Sequence, residues 1–109
     1  MEIKFNSFLE DVFKRRIRFS WERKSHIEST HYEMNGEMGK IQETLQNPDI
    51  VVKSKVDVSV ELFYRNYKNT PTGEKYLCVV VKNKEDNNFI ITSCFTDTVK
   101  KRELLWQKR

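Results

Sequence analysis

The chain contains two histidines, His26 and His31, five residues apart. Cleaving RNA without a metal needs a base to take the proton of the 2′-hydroxyl and an acid for the leaving oxygen. Imidazole serves both roles near neutral pH. A cation must also stabilise the charge that develops on the phosphate. Arg65 and Lys82 are the candidates for that task, and Thr92 offers a hydroxyl to orient the phosphate. A five-residue step puts the histidines roughly 140° apart on one helix. They can face one cleft only if the helix ends before His31, which the closeness of Asn35-Gly36 allows. The plainer alternative is a pair of surface or helix-end histidines, with Arg65 and Lys82 as solvated strand ends.

The elements that must position these residues can be read from hydrophobic period. Phe5, Phe8, Leu9, Val12 and Phe13 predict a short helix or an apolar plug. Ile17 and Phe19 alternate with Arg16 and Arg18, the pattern of a half-buried strand. Ser20 is a candidate N-cap, with Glu22 in the first turn of a helix running to about Thr30. Met34, Met38, Ile41 and Leu45 form a helical stripe that Asn47-Pro48 ends.

From there the period is two. Val56, Val58, Val60, Leu62 and Tyr64 share one parity, while Glu61, Phe63, Arg65 and Tyr67 share the other. After the turn cluster at 69–73, residues 76–82 form a continuous β-rich run that predicts a central strand. A polar hairpin loop at 83–88 leads into a strand at 89–96. Short connections make neighbours antiparallel. The expectation is one domain over residues 1–109, of α+β class, with N-terminal helices packed on one face of a mostly antiparallel sheet of about four strands. Trp106, Phe89 and Phe95 read as core.

On such a sheet the face away from the helices is the natural site. If Arg65, Lys82 and Thr92 share it, two cations and a hydroxyl beside aromatics suit a phosphate with a base stacked next to it. Whether Thr92 and Lys82 do share it depends on the hairpin register, since a slip of one residue reverses the answer. The basic runs at 14–18 and 100–102, including Lys100 and Lys101, could contact a phosphate backbone.

Composition narrows the classes. With 38% hydrophobic and 12% aromatic residues the chain is too apolar to be disordered. A net charge of +4 permits an anionic partner without requiring one. The longest apolar run, 76–81, is far short of the roughly 20 residues that span a bilayer. The opening Met1-Glu2-Ile3-Lys4 does not read as a secretory signal. Cys78 and Cys94 make neither a disulfide framework nor a metal-binding pair, and read as small buried hydrophobes. Cytoplasmic location, reduced thiols, no cofactor, no metal and no membrane partner are expected.

Several segments taken in order resemble a family. They are His26-Ile27, the stretches 31–34, 41–49, 60–65 (with Tyr64-Arg65) and 75–82, Phe89-Ile90-Ile91-Thr92, and the stretch from Thr96-Asp97 to Leu105-Trp106. Together they resemble small phage and mobile-element proteins assigned to the barnase–EndoU–colicin–RelE-like (BECR) nuclease fold. The resemblance implies two helices followed by a four-stranded antiparallel sheet. It also implies metal-independent RNA cleavage to a 2′,3′-cyclic phosphate. By the motifs, His26, His31, Arg65, Lys82 and Thr92 would be catalytic and Tyr64 would bind substrate; the shared parity of Tyr67 with Arg65 and the basic run at 100–102 add Tyr67, Lys100 and Lys101 as candidate substrate contacts.

The resulting expectation is a small endoribonuclease, either a toxin or an accessory nuclease of a mobile element, with RNA as substrate and a cognate antitoxin or immunity protein as a further partner. The alternative is a non-catalytic RNA-binding or protein-interaction module. Oligomeric state stays open.

Overall fold

The computed structural model describes residues 6–109. Phe5, part of the expected apolar plug, lies outside them. The elements in chain order are β1 (Asn6–Glu10), β2 (Arg16–Ser20), α1 (Trp21–Thr30), a 3-10 turn (Tyr32–Met34), α2 (Met38–Gln46), β3 (Ile50–Lys53), β4 (Val60–Thr70), β5 (Gly73–Lys84), β6 (Asn87–Thr96) and β7 (Leu104–Gln107). The strands form one sheet in the order β1-β2-β6-β5-β4-β3-β7. All pairings are antiparallel except β2 with β6, which is parallel.

This overturns the expected architecture of N-terminal helices on a four-stranded antiparallel sheet. Among the described residues the sheet has seven strands and is mixed, and the two α-helices are inserted between β2 and β3. Three short strands account for the difference. The segment expected to be a helix or plug is instead β1, paired with β2 from Asn6↔Ser20 to Glu10↔Arg16. Ile50–Lys53 is too short for its own period to show, and Leu104–Gln107 completes the far edge beside it. The parallel contact follows from chain order: β2 feeds α1, and the chain returns to its edge only with β6.

Local signals did set the helices. Ser20 is extended and its Oγ accepts from the Arg23 N–H at 3.3 Å, with Glu22 in the first turn. α2 ends at Asn47, before Pro48. The Met34–Leu45 stripe is all on the core side but not all one helix. Gly36 takes φ +80° and breaks it after the 3-10 turn. Ile27, Met34, Ile41 and Leu45 pack with Ile17, Phe19, Val51, Phe63, Leu77, Val79, Val81 and Ile90 in the main core.

The loop from β1 to β2 folds over one end of this core. The Val12 N–H donates to the Leu45 carbonyl at 2.8 Å, and Phe13 meets Phe63 edge-on at 6.2 Å. Asp11, 2% exposed, accepts from the N–H groups of Phe13 and Arg15 and from Arg15 Nε at 2.8 Å. The same guanidinium reaches Glu61 of β4 at 2.5 Å, so one arginine ties the loop to the sheet.

A second, smaller cluster lies on the opposite face. Val52, Tyr64 and Cys78 are buried there, with Ile50, Leu62, Tyr76, Val80 and Val99 against them. Val99 belongs to residues 97–103, which carry the chain from the end of β6 across this face to β7. Part of the face expected to be open, around Leu62, Tyr64 and Val80, is thereby covered. Val56 and Val58, expected on the buried parity, lie in the β3–β4 loop and are 97% and 75% exposed. No helix among the described residues is long and apolar enough to cross a membrane.

Candidate nucleic-acid interface

The uncovered part of the second face carries a row of side chains running across four strands. Arg16 and Arg18 alternate with the buried Ile17 and Phe19, so both arginines point away from the helices. Arg18 is paired with Phe8 of β1 on one side and with Phe89 of β6 on the other. Phe89 is paired with Lys82 of β5. The order across the sheet is Phe8, Arg18, Phe89, Lys82, spanning three strand intervals or roughly 14 Å.

A bulge makes this row possible. Val80 pairs with Thr92 but Val81 pairs with Ile90, so Ile91 is the extra residue of β6. The insertion exchanges the parity of the strand. Beyond it, Ile90 turns into the main core and Phe89 joins Thr92 and Cys94 on the other face.

Cations and rings are already in contact here. The Arg16 guanidinium lies 3.8 Å from the Phe8 ring centroid, and that of Arg18 lies 5.8 Å from the Phe89 centroid. Phe8, Arg16 and Arg18 are exposed. Among the described residues neither arginine has a carboxylate within ion-pair distance. Ser20, Glu22 and Arg23, from the start of α1, line a depression of about 250 Å³ with Arg18 and Phe89. Lys82 is different. Its Nζ donates to Asp57 Oδ2 at 2.7 Å. Asp57 also accepts through Oδ1 from the Ser59 N–H and Oγ, and the Lys82 and Ser59 bonds together hold its carboxyl well below the usual range.

No family model, curated protein or solved structure matches this chain significantly. The site is therefore read from its own geometry.

The structure disperses the residues singled out from sequence. Lys82 and Thr92 do share a face, through the Val80↔Thr92 register. Arg65 does not join them. It is paired with the buried Leu77 and shares the face of Phe63. There its Nη1 donates to the Asn47 carbonyl at 2.7 Å, and its Nε lies 3.5 Å from Glu43 of α2. Arg65 also stands five residues along β4 from Val60, the partner of Lys82, roughly 17 Å away.

Tyr67 follows Arg65 and donates to Glu43 Oε1 at 2.5 Å. Burial, with that bond, pushes its hydroxyl up to about 12. Tyr64 is buried beneath the crossing segment, and burial raises its hydroxyl as well. His26 is exposed on α1. His31 caps the end of that helix with Nδ1 3.4 Å from Glu33 Oε1. Lys100 and Lys101 are exposed on the crossing segment.

Phe8 and Phe89 were not candidates from sequence, and Arg16 and Arg18 entered only as members of the basic run at 14–18. The signal for the arginines was present in their alternation with Ile17 and Phe19. Phe8 was assigned to a helix or plug, and Phe89 to the core because an unseen bulge decides its face.

Proposed function

We propose that this protein binds single-stranded RNA across the open part of its second sheet face and holds it without cutting it. The observation that carries this reading is the row Phe8–Arg18–Phe89–Lys82, with Arg16 over Phe8. Exposed rings and guanidinium planes stack on bases, and unpaired cations hold phosphates. A sheet face supplies both at strand spacing. RNA is put ahead of DNA by the family resemblance of the ordered segments and by nothing in the geometry of the row. Binding is put ahead of cleavage because His26 and His31 lie on α1 and at its end, while Arg65 is held by α2 on the face away from Lys82 and Thr92.

The test is fluorescence anisotropy with a labelled twelve-nucleotide RNA in EDTA, beside the DNA of the same sequence and a gel for cleavage. Intact RNA should be bound, with affinity falling as salt rises. Three or four phosphate contacts to a single strand give a log–log slope of about −2 to −3. Substituting both Arg16→Ala and Arg18→Ala should abolish most of that binding. A folded protein that binds no RNA, or one that cuts RNA to a cyclic phosphate with dependence on His26 or His31, would overturn the proposal.

A further inference from the structure

A second group of cations lies where the crossing segment meets the β3–β4 loop. Lys53, Ser54, Lys55, Val58, Lys101, Arg102 and Glu103 line an open cleft of about 410 Å³. Four of the seven are cationic and one is acidic. Glu103 lies 3.5 Å from Lys53. Among the described residues Lys55, Lys101 and Arg102 have no carboxylate partner, so their charge is available to a ligand.

Backbone bonds fix the walls. The Lys53 N–H donates to the Glu103 carbonyl at 2.9 Å, and the Ser54 N–H donates to Val60 at 2.8 Å. The cations therefore sit on anchored chain at both edges of the cleft. Val58, 75% exposed, gives the cleft an apolar wall between them.

This cleft adjoins the row. The loop that supplies Lys55 and Val58 to the cleft also supplies Asp57, whose carboxylate holds Lys82 at the end of the row. The crossing segment that supplies Lys101 and Arg102 also places Lys100 over Leu62, Tyr64 and Val80, residues of the same sheet face as Lys82. Cations thus recur from Arg18 on β2, through Lys82 and Lys100, to the cleft beside β3, four strand intervals or roughly 19 Å.

We infer that the cleft at Lys53, Lys55, Lys101 and Arg102 is a second phosphate-backbone subsite, which takes the continuation of the same RNA strand that the aromatic row holds. The inference rests on the proposed RNA binding. It adds a length requirement: a strand confined to the row gains nothing from the cleft. Single-strand sites of about 4 to 16 nucleotides are found on OB folds, another sheet-based single-strand binder. The cleft then separates short ligands from long ones. Lys55, Lys101 and Arg102 contribute charge without base recognition, so the gain is independent of sequence. Asp57 stands at the junction and disfavours phosphate there, which leaves two subsites rather than one uniform groove.

The experiment compares four- and twelve-nucleotide RNAs by anisotropy, using the full chain and the variant carrying both Lys101→Ala and Arg102→Ala. Both positions are exposed, and circular dichroism checks the fold. Wild type should bind the twelve-mer at least tenfold more tightly than the four-mer. The variant should lose about tenfold on the twelve-mer, with its salt slope reduced by about 1.4. It should bind the four-mer as wild type does. Equal loss on both lengths, or no loss on either, would overturn the second subsite while leaving RNA binding at the row intact. Binding of neither RNA by wild type would remove both proposals together.

Discussion

Arg18 and Lys82 lie on one face of the sheet with a single side chain, Phe89, between them. They differ in what they can offer a ligand. Arg18 is exposed without an ion-pair partner among the described residues, whereas Lys82 is held by Asp57. The same row thus contains a free cation and a restrained one, and substitutions should separate them.

Arg18→Ala removes a charge that makes no ion pair among the described residues and meets the Phe89 ring at 5.8 Å. Its stability should stay within about 0.5 kcal/mol of wild type, while RNA affinity falls and the salt slope loses about 0.7. Phe89→Leu keeps apolar bulk against Lys82 and Arg18 but removes the ring. A stacking contribution of about 1 kcal/mol or more per base corresponds to a loss of at least fivefold in affinity. Thermal melts and anisotropy on the two variants measure both effects.

Asp57→Asn should act in the opposite direction on binding. It frees Lys82 and removes a negative charge from the path, so affinity should rise by two- to fivefold at low salt. The same substitution should cost stability at neutral pH. A carboxyl whose folded value is depressed contributes stability that is fully present above its ordinary value of 3.8 and is lost as pH falls through the lower folded value. The stability difference between wild type and Asp57→Asn should accordingly hold constant from pH 7 to 5 and shrink only in strong acid. Urea melts at a series of pH values test this.

Arg15 should matter for folding rather than for binding. Asp11 is buried, and Arg15 is the cation that reaches it and Glu61 together. Arg15→Ala leaves a buried carboxylate without its charge partner. A cost of about 3 kcal/mol is expected, which for a chain of this size lowers Tm by roughly 10–20 °C. The two substitutions Arg15→Met and Asp11→Asn together should recover part of that loss, because the fully buried Asp11 charge is gone and only that of Glu61 remains.

The two thiols should be inert in the folded protein. Cys78 and Cys94 are direct partners across β5 and β6. Burial, with Cys94 adjacent, pushes the Cys78 thiol up to about 12, and burial raises Cys94 too. Alkylation by iodoacetamide at pH 8 should be slow until urea unfolds the chain. The sign for stability follows from the neutral form being favoured by folding. The contribution is complete below the ordinary thiol value of 9.0 and is lost as pH rises toward 12. Tyr67, also raised, loses its contribution over the upper part of the same range. The urea midpoint should therefore fall steadily from pH 9 to 12.

Much of the local structure was legible in the residues. Ser20, Glu22 and Asn47-Pro48 marked helix ends through interactions within one turn of the chain, and α1 starts and α2 stops where those signals stand. The continuous apolarity of 76–82 marked a strand buried on both sides, and β5 is the middle strand of seven. The alternation of Arg16, Ile17, Arg18 and Phe19 marked which pair would meet solvent. These patterns depend only on the period of a helix or strand and on burial, so they survive without knowledge of the partners.

What the tertiary structure alone decided is which residues meet. Ile50–Lys53 and Leu104–Gln107 are four residues each, too short to show a period, and they are strands because neighbours already in place offer hydrogen bonds. Phe8 belongs to a strand because β2 pairs with it, against the helical spacing of its apolar neighbours. Arg65 went to the helix-covered face, and Phe89 to the open one through a single bulged residue. A face is set by register, and register is set by contacts between segments far apart in sequence. For that reason the sequence showed the cations and rings this protein carries, and only the assembled sheet decided that Phe8, Arg18, Phe89 and Lys82 stand in one row while His26, His31 and Arg65 stand elsewhere.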